Sequence, residues 1–103
     1  MSEPATAANK GKPALDELRE MLETMAKSIV DQPEDIVIFP APGDGFVHFE
    51  VRCDQRDAGT LIGRRGAHAE AIRTLMMAAG AVRGLRVTLQ ILGRDGDQYA
   101  PAR

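Results

Sequence analysis

The apolar residues of this chain fall into segments of distinct period, and period alone predicts most of its elements. Leu15, Leu18, Leu22, Met25 and Ile29 recur at spacings of three and four, which draws one apolar stripe down a helix of about four turns. Glu17, Glu20 and Glu23 fall between them, on the side expected to face water. Pro13 suits the first turn, where its missing N–H leaves no bond unmade. Asp16 and Glu17 suit the positive end of the helix dipole. Gln32-Pro33 ends the segment, because the residue before a proline is driven out of the helical region.

Period two follows. The run 36-IVIF-39 is β-branched and aromatic and is followed by Pro40, Pro42, Gly43 and Gly45, which predicts a short strand and then a loop. In 47-VHFEVRC-53 the alternation sends Val47, Phe49, Val51 and Cys53 to one face and His48, Glu50 and Arg52 to the other. Asp54 is placed to cap a short helix over 55–62, and Gly63 stands just past its end. A longer helix is expected over 67–80, with Ala69, Ile72, Leu75, Met76 and Ala79 as its buried stripe and Gly80 and Gly84 bracketing a fraying end. Period two returns in 85-LRVTLQIL-92, with Leu85, Val87, Leu89 and Ile91 inward. The order helix, strand, strand, helix, helix, strand predicts an α+β fold, a three-stranded sheet with helices packed on one face. Residues 1–12 and 94–103 lack any period and are read as a disordered N-terminal tail and a C-terminal tail. That leaves 13–93 as the single domain that 103 residues allow.

Composition narrows the function classes. One cysteine, Cys53, rules out an internal disulfide and offers no metal cluster. Its inward position marks it as a small core residue, and His48 points to the opposite face, so the strand holds no Cys-His pair. His48, Glu50 and Arg52 are what the wet face of a half-exposed strand carries. No P-loop lysine, zinc spacing or carboxylate motif appears elsewhere. The chain is therefore expected not to be an enzyme and to need no metal or cofactor. With no signal peptide, lipidation motif or apolar run long enough for a bilayer, it is expected to be soluble and cytoplasmic, with no membrane partner.

The net charge of −2 conceals an asymmetry. Residues 1–50 carry Lys10, Lys12, Arg19 and Lys27 against ten acids, whereas residues 51–103 carry nine arginines, no lysine and five acids. An arginine-rich half on an acidic protein points to a polyanion-facing surface. Only Phe39, Phe46, Phe49 and Tyr99 are aromatic, so a nucleic-acid surface here is not a platform of stacked rings.

Between the two predicted helices stands 63-GRRG-66. Amide groups left free where one helix stops and another starts, together with the positive helix end, favour phosphate. The two glycines lack a Cβ and let a sugar-phosphate backbone approach closely. Arg64 and Arg65 supply charge and paired donors. Arg56 and Arg73 are expected to add flanking phosphate contacts on grounds of charge. His68 is read as an exposed residue and Ile72 as core.

The run 57-DAGTLIGRRGAHAEAIRT-74 resembles the I-G-x-x-G signature of the K-homology (KH) RNA-binding domain, and the element order resembles its bacterial, type II form. Over about residues 14–93 the chain is similar, more narrowly, to the small bacterial single-KH-domain proteins of the KhpA-like family. Ala69 stands where many KH domains have isoleucine, as is usual in that family, and makes the groove wall shallower. The resemblance implies a groove for about four unpaired nucleotides, with Gly63, Arg64, Arg65 and Gly66 clamping the backbone and Ile62 and Ala69 giving apolar surface beneath the bases. It implies single-stranded RNA as partner, a homodimer or a heterodimer with a second KH-containing protein, and a role as an RNA chaperone or post-transcriptional regulator. The alternative is a protein-interaction adaptor with a KH-like fold, working through its acidic first helix.

Overall fold

A computed structural model describes residues 14–93; Pro13 and the tails expected over 1–12 and 94–103 lie outside the described residues. Helix α1, Ala14–Ile29, buries Leu18, Leu22 and Ala26, and Leu15 and Met25 pack partly against the same core. Two positions differ from expectation. Ile29, the terminal helical residue, is exposed, and Ala26 extends the buried row in its place. Glu17 is not on a purely wet face, because it accepts from Arg83 Nε at 2.8 Å. A second helix borders α1 there, so its covered arc is wider than its apolar stripe.

A single 3₁₀ turn, Pro33–Asp35, leads into β1, Val37–Gly43. This strand runs through Pro40 and Pro42, where a loop was expected. The sheet order β1-β2-β3 explains the difference. β1 pairs with one neighbour only, and an edge strand tolerates residues without an N–H. β2, Phe46–Cys53, is central: antiparallel to β1, with Ile38 opposite Val51, and parallel to β3, Arg86–Gly93, with Val51 opposite Ile91. A parallel pair needs a crossover. Helices α2, Gln55–Ile62, and α3, Ala67–Val82, supply it.

The helices cover one face of the sheet. Val47, Phe49, Val51 and Cys53 of β2 and Val87, Leu89 and Ile91 of β3 meet Ala58, Leu61 and Ile62 of α2 and Ala69, Ile72 and Met76 of α3. The expected strand alternation is met at each of these positions, but α3 departs from its predicted stripe. Leu75 is 56% exposed, and the buried row is Ala69, Ile72, Met76 and Gly80. Gly80 is thus a packing residue and not a fraying end. A Cβ there would lie 2.5 Å from Val87 Cγ2 and 2.8 Å from the Leu85 carbonyl oxygen. Its absence lets α3 continue to Val82 in contact with β3.

Asp57, buried in α2, ties this crossover to the other side of the fold. Its carboxylate accepts the backbone N–H groups of Asp31 at 3.2 Å and Gln32 at 2.9 Å. The link between α1 and β1 is therefore anchored on the helix that carries the Gly-Arg-Arg-Gly loop at its end.

Candidate nucleic-acid interface

The loop is built by the way α2 stops and α3 starts. Asp54 begins α2 by accepting from the Arg56 N–H at 2.8 Å, an N-cap as expected. The helix ends at Gly63, whose φ of 82° takes the chain out of the helix while its N–H donates to the Gly59 carbonyl at 2.8 Å. One 3₁₀ turn follows, closed by Gly66 N–H to the Gly63 carbonyl at 3.0 Å. Arg65 and Gly66 are both left-handed, with φ of 57° and 76°. Gly66 then starts α3 with no side-chain cap; the Ala67 N–H is taken by the Arg64 carbonyl, and the positive end of the α3 dipole faces the turn.

Beside the loop runs an open groove. Ile62, Arg65, Gly66, Ala67, Ala69, Glu70 and Arg73 line one wall, and Leu89, Gln90 and Ile91 of β3 line the other. β3 is the second edge strand, so its backbone groups on the side away from β2 are not paired within the sheet. Ile62 and Ala69 are almost covered, at 5% and 7% exposed, and form a shallow apolar floor.

The arginines divide into two groups. Among the described residues Arg64 and Arg65 make no ion pair. Both are exposed, and Arg65 alone of the two lines the groove. Arg73 lies in the groove wall with its Nη1 3.0 Å from Glu70 Oε1. Arg56 is at the far end of α2, outside the groove, and grips Asp54 with two bonds of 2.9 and 3.0 Å. Those hydrogen bonds first, and the Asp54 charge second, raise the Arg56 guanidinium above its ordinary value. The structure thus brings together Ile62, Gly63, Arg65, Gly66, Ala69 and Arg73, keeps Arg64 in the turn but not in the groove lining, and leaves Arg56 apart.

Sequence reasoning did not find Glu70 and Gln90 as groove residues. Glu70 reads as an ordinary first-turn acid, and Gln90 as the wet side of a strand. His68 is exposed, as expected, yet its Nδ1 donates to the Thr60 carbonyl at 2.7 Å. No spacing rule marks such a bond.

Among the described residues no group of three or more His, Cys, Asp or Glu could hold a metal ion. No helix among them is long and apolar enough to cross a membrane. Cys53 is buried, and desolvation first, then the charges of Asp57 and Asp54, push its thiol up to about 11. A thiol so protonated is a core residue and no nucleophile.

An α+β domain whose I-G-x-x-G loop joins two crossover helices beside an edge strand is a KH domain. The model of the KhpA/KhpB KH domain matches residues 19–91, and the chain belongs to that family. It is 35% identical over 75 residues to the RNA-binding protein KhpA of Clostridium acetobutylicum, covering 73% of this chain and all of that one. To the RNA-binding protein KhpA of Borreliella burgdorferi it is 41% identical over 73 residues, covering 71% of this chain and 89% of that one. The RNA-binding protein KhpA of Listeria monocytogenes is 35% identical over 75 residues, covering 73% and 99%. No solved structure was found to match.

Proposed function

We propose that the chain is a non-enzymatic, cytoplasmic RNA-binding protein that holds a short single-stranded RNA in the groove between α3 and β3. One observation carries this: two arginines without ion pairs among the described residues stand on a left-handed glycine turn, where a helix with no side-chain cap starts beside an apolar-floored groove. Every relative named above is an RNA-binding protein. In this reading Gly63, Arg64, Arg65 and Gly66 clamp the sugar-phosphate backbone, Ile62 and Ala69 support the bases, and Arg73 adds a phosphate contact. Arg56 contributes only by giving up Asp54. A groove of about four nucleotides binds weakly, so the working unit is a homodimer or a heterodimer with a second KH-containing protein, acting as an RNA chaperone or post-transcriptional regulator.

The adaptor alternative loses ground on α1. Glu17 is engaged by Arg83, and Glu23 meets Lys27 at 2.8 Å and Arg19 at 3.4 Å. These pairs leave the acidic helix less charge to offer a partner. The test is fluorescence anisotropy of a labelled mixed-sequence RNA with wild type and an Arg64→Asp, Arg65→Asp variant. Loss of binding in the variant, with circular dichroism unchanged, is expected. Equal binding by both proteins would sink the proposal.

A further inference from the structure

The shape of the Gly-Arg-Arg-Gly turn depends on a side chain outside the motif. The last four carbonyls of a helix have no partner within it. At the end of α2 the Gly59 carbonyl is taken by the Gly63 N–H. Among the described residues no backbone amide beyond the helix takes that of Thr60; the His68 ring does, at 2.7 Å. A carbonyl only accepts, so Nδ1 carries the proton and the ring orientation is set. Because His68 is the second residue of α3, this one bond joins the last turn of α2 to the first turn of α3.

The same ring fills the inside of the corner. A Cβ built on Gly63 would lie 2.6 Å from His68 Cγ, so the α-carbon of Gly63 sits directly against the imidazole. Without the ring, the turn rests on its own backbone bonds, Gly63 N–H to Gly59, Gly66 N–H to Gly63 and Ala67 N–H to Arg64, and on three residues at positive φ. Such residues, two of them glycine, have more than one accessible conformation, and the angle between the helices is then loosely held. A phosphate clamp needs its amides and arginines already in place, since ordering them on binding weakens affinity.

We propose that His68 is the positioning residue of the clamp, which sets the angle of the loop by bridging the Thr60 carbonyl and packing on Gly63. The proposal rests on the RNA-binding reading for its effect on affinity. A helix-end bond with no such role would change stability alone. Two variants separate these roles. In asparagine the donor Nδ2 is bonded to Cγ, as Nδ1 is in histidine, so His68→Asn keeps a donor in the same place. His68→Leu keeps bulk and removes the donor.

The experiment measures affinity for a labelled single-stranded RNA at low salt and, without RNA, hydrogen exchange at the Gly63 and Gly66 amides. His68→Leu is expected to weaken RNA binding by about fivefold to tenfold, the scale of one lost hydrogen bond. Its two loop amides should exchange faster, and His68→Asn should restore both properties toward wild type. Wild-type affinity and exchange in His68→Leu would overturn the proposal, as would His68→Asn failing to the same degree. If the wild type binds no RNA, the RNA reading fails by itself and exchange alone decides. In that case unchanged exchange in His68→Leu overturns the positioning role, and faster exchange rescued by asparagine upholds it.

Discussion

At the scale of single residues, Arg65 carries a cost that its position repays. It is the one described non-glycine residue at positive φ, and an L-residue there is disfavoured by about 1 kcal/mol. Asparagine tolerates that region well, so Arg65→Asn should leave stability within about 0.5 kcal/mol of wild type. RNA affinity should fall, and the dependence of log affinity on log salt should flatten by about 0.7, the share of one phosphate contact on a single strand. Urea melts and anisotropy at several salt concentrations measure the two effects. A fall in stability without a change in salt slope would mean that the residue serves the turn and not the ligand.

Cys53 makes a second prediction at this scale. Its thiol is raised from 9.0 to about 11 in the folded chain, so the native state holds the proton more tightly than the unfolded state. The resulting stability is fully present below pH 9 and is lost as pH rises through 11. Two units correspond to about 3 kcal/mol at most. Wild type should therefore lose more stability than Cys53→Ala between pH 8 and 11, and parallel losses in urea melts would refute the assignment.

At the scale of elements, the tie from α2 to the link between α1 and β1 should matter more than any surface ion pair. Asp57→Ala leaves two backbone N–H groups without their acceptor, at about 1–3 kcal/mol. Arg73→Ala breaks an exposed pair with Glu70 and should cost under about 1 kcal/mol. Equal melting temperatures for the two variants would contradict this order. The same contrast explains what was legible in the sequence. Strand alternation in β2 and β3 and the N-cap at Asp54 depend on near neighbours and were readable. The continuation of β1 through Pro40 and Pro42 depends on which strand is at the edge, a property of the assembled sheet. Leu75, Glu17 and Gly80 depend on where α3 meets α1 and β3. Beside the groove, the loop arginines were visible as charge next to glycine. Glu70, Gln90 and the bond from His68 to Thr60 arise from elements brought together by the crossover.

At the scale of the whole molecule, charge and groove length together bear on how many copies act on one RNA. The arginine-rich half forms the loop and α3, while the acidic half supplies α1 and β1, so the charge that attracts a polyanion sits with the loop. The groove proposed above, for about four nucleotides, would saturate early. If one copy acts alone, lengthening the RNA adds only alternative registers, and affinity rises in proportion to their number. If two copies act together, an RNA that spans both grooves binds the second at an effective concentration near millimolar, and affinity rises by about a hundredfold over a narrow range of length. Anisotropy with RNAs from about 5 to 25 nucleotides, alongside sedimentation to count copies, distinguishes the two, and the stepped rise is expected. Mixing wild type with an excess of the Arg64→Asp, Arg65→Asp variant should then abolish the step, because each mixed dimer keeps one working loop. A step that survives the mixing would place the second contact outside the Gly-Arg-Arg-Gly turn.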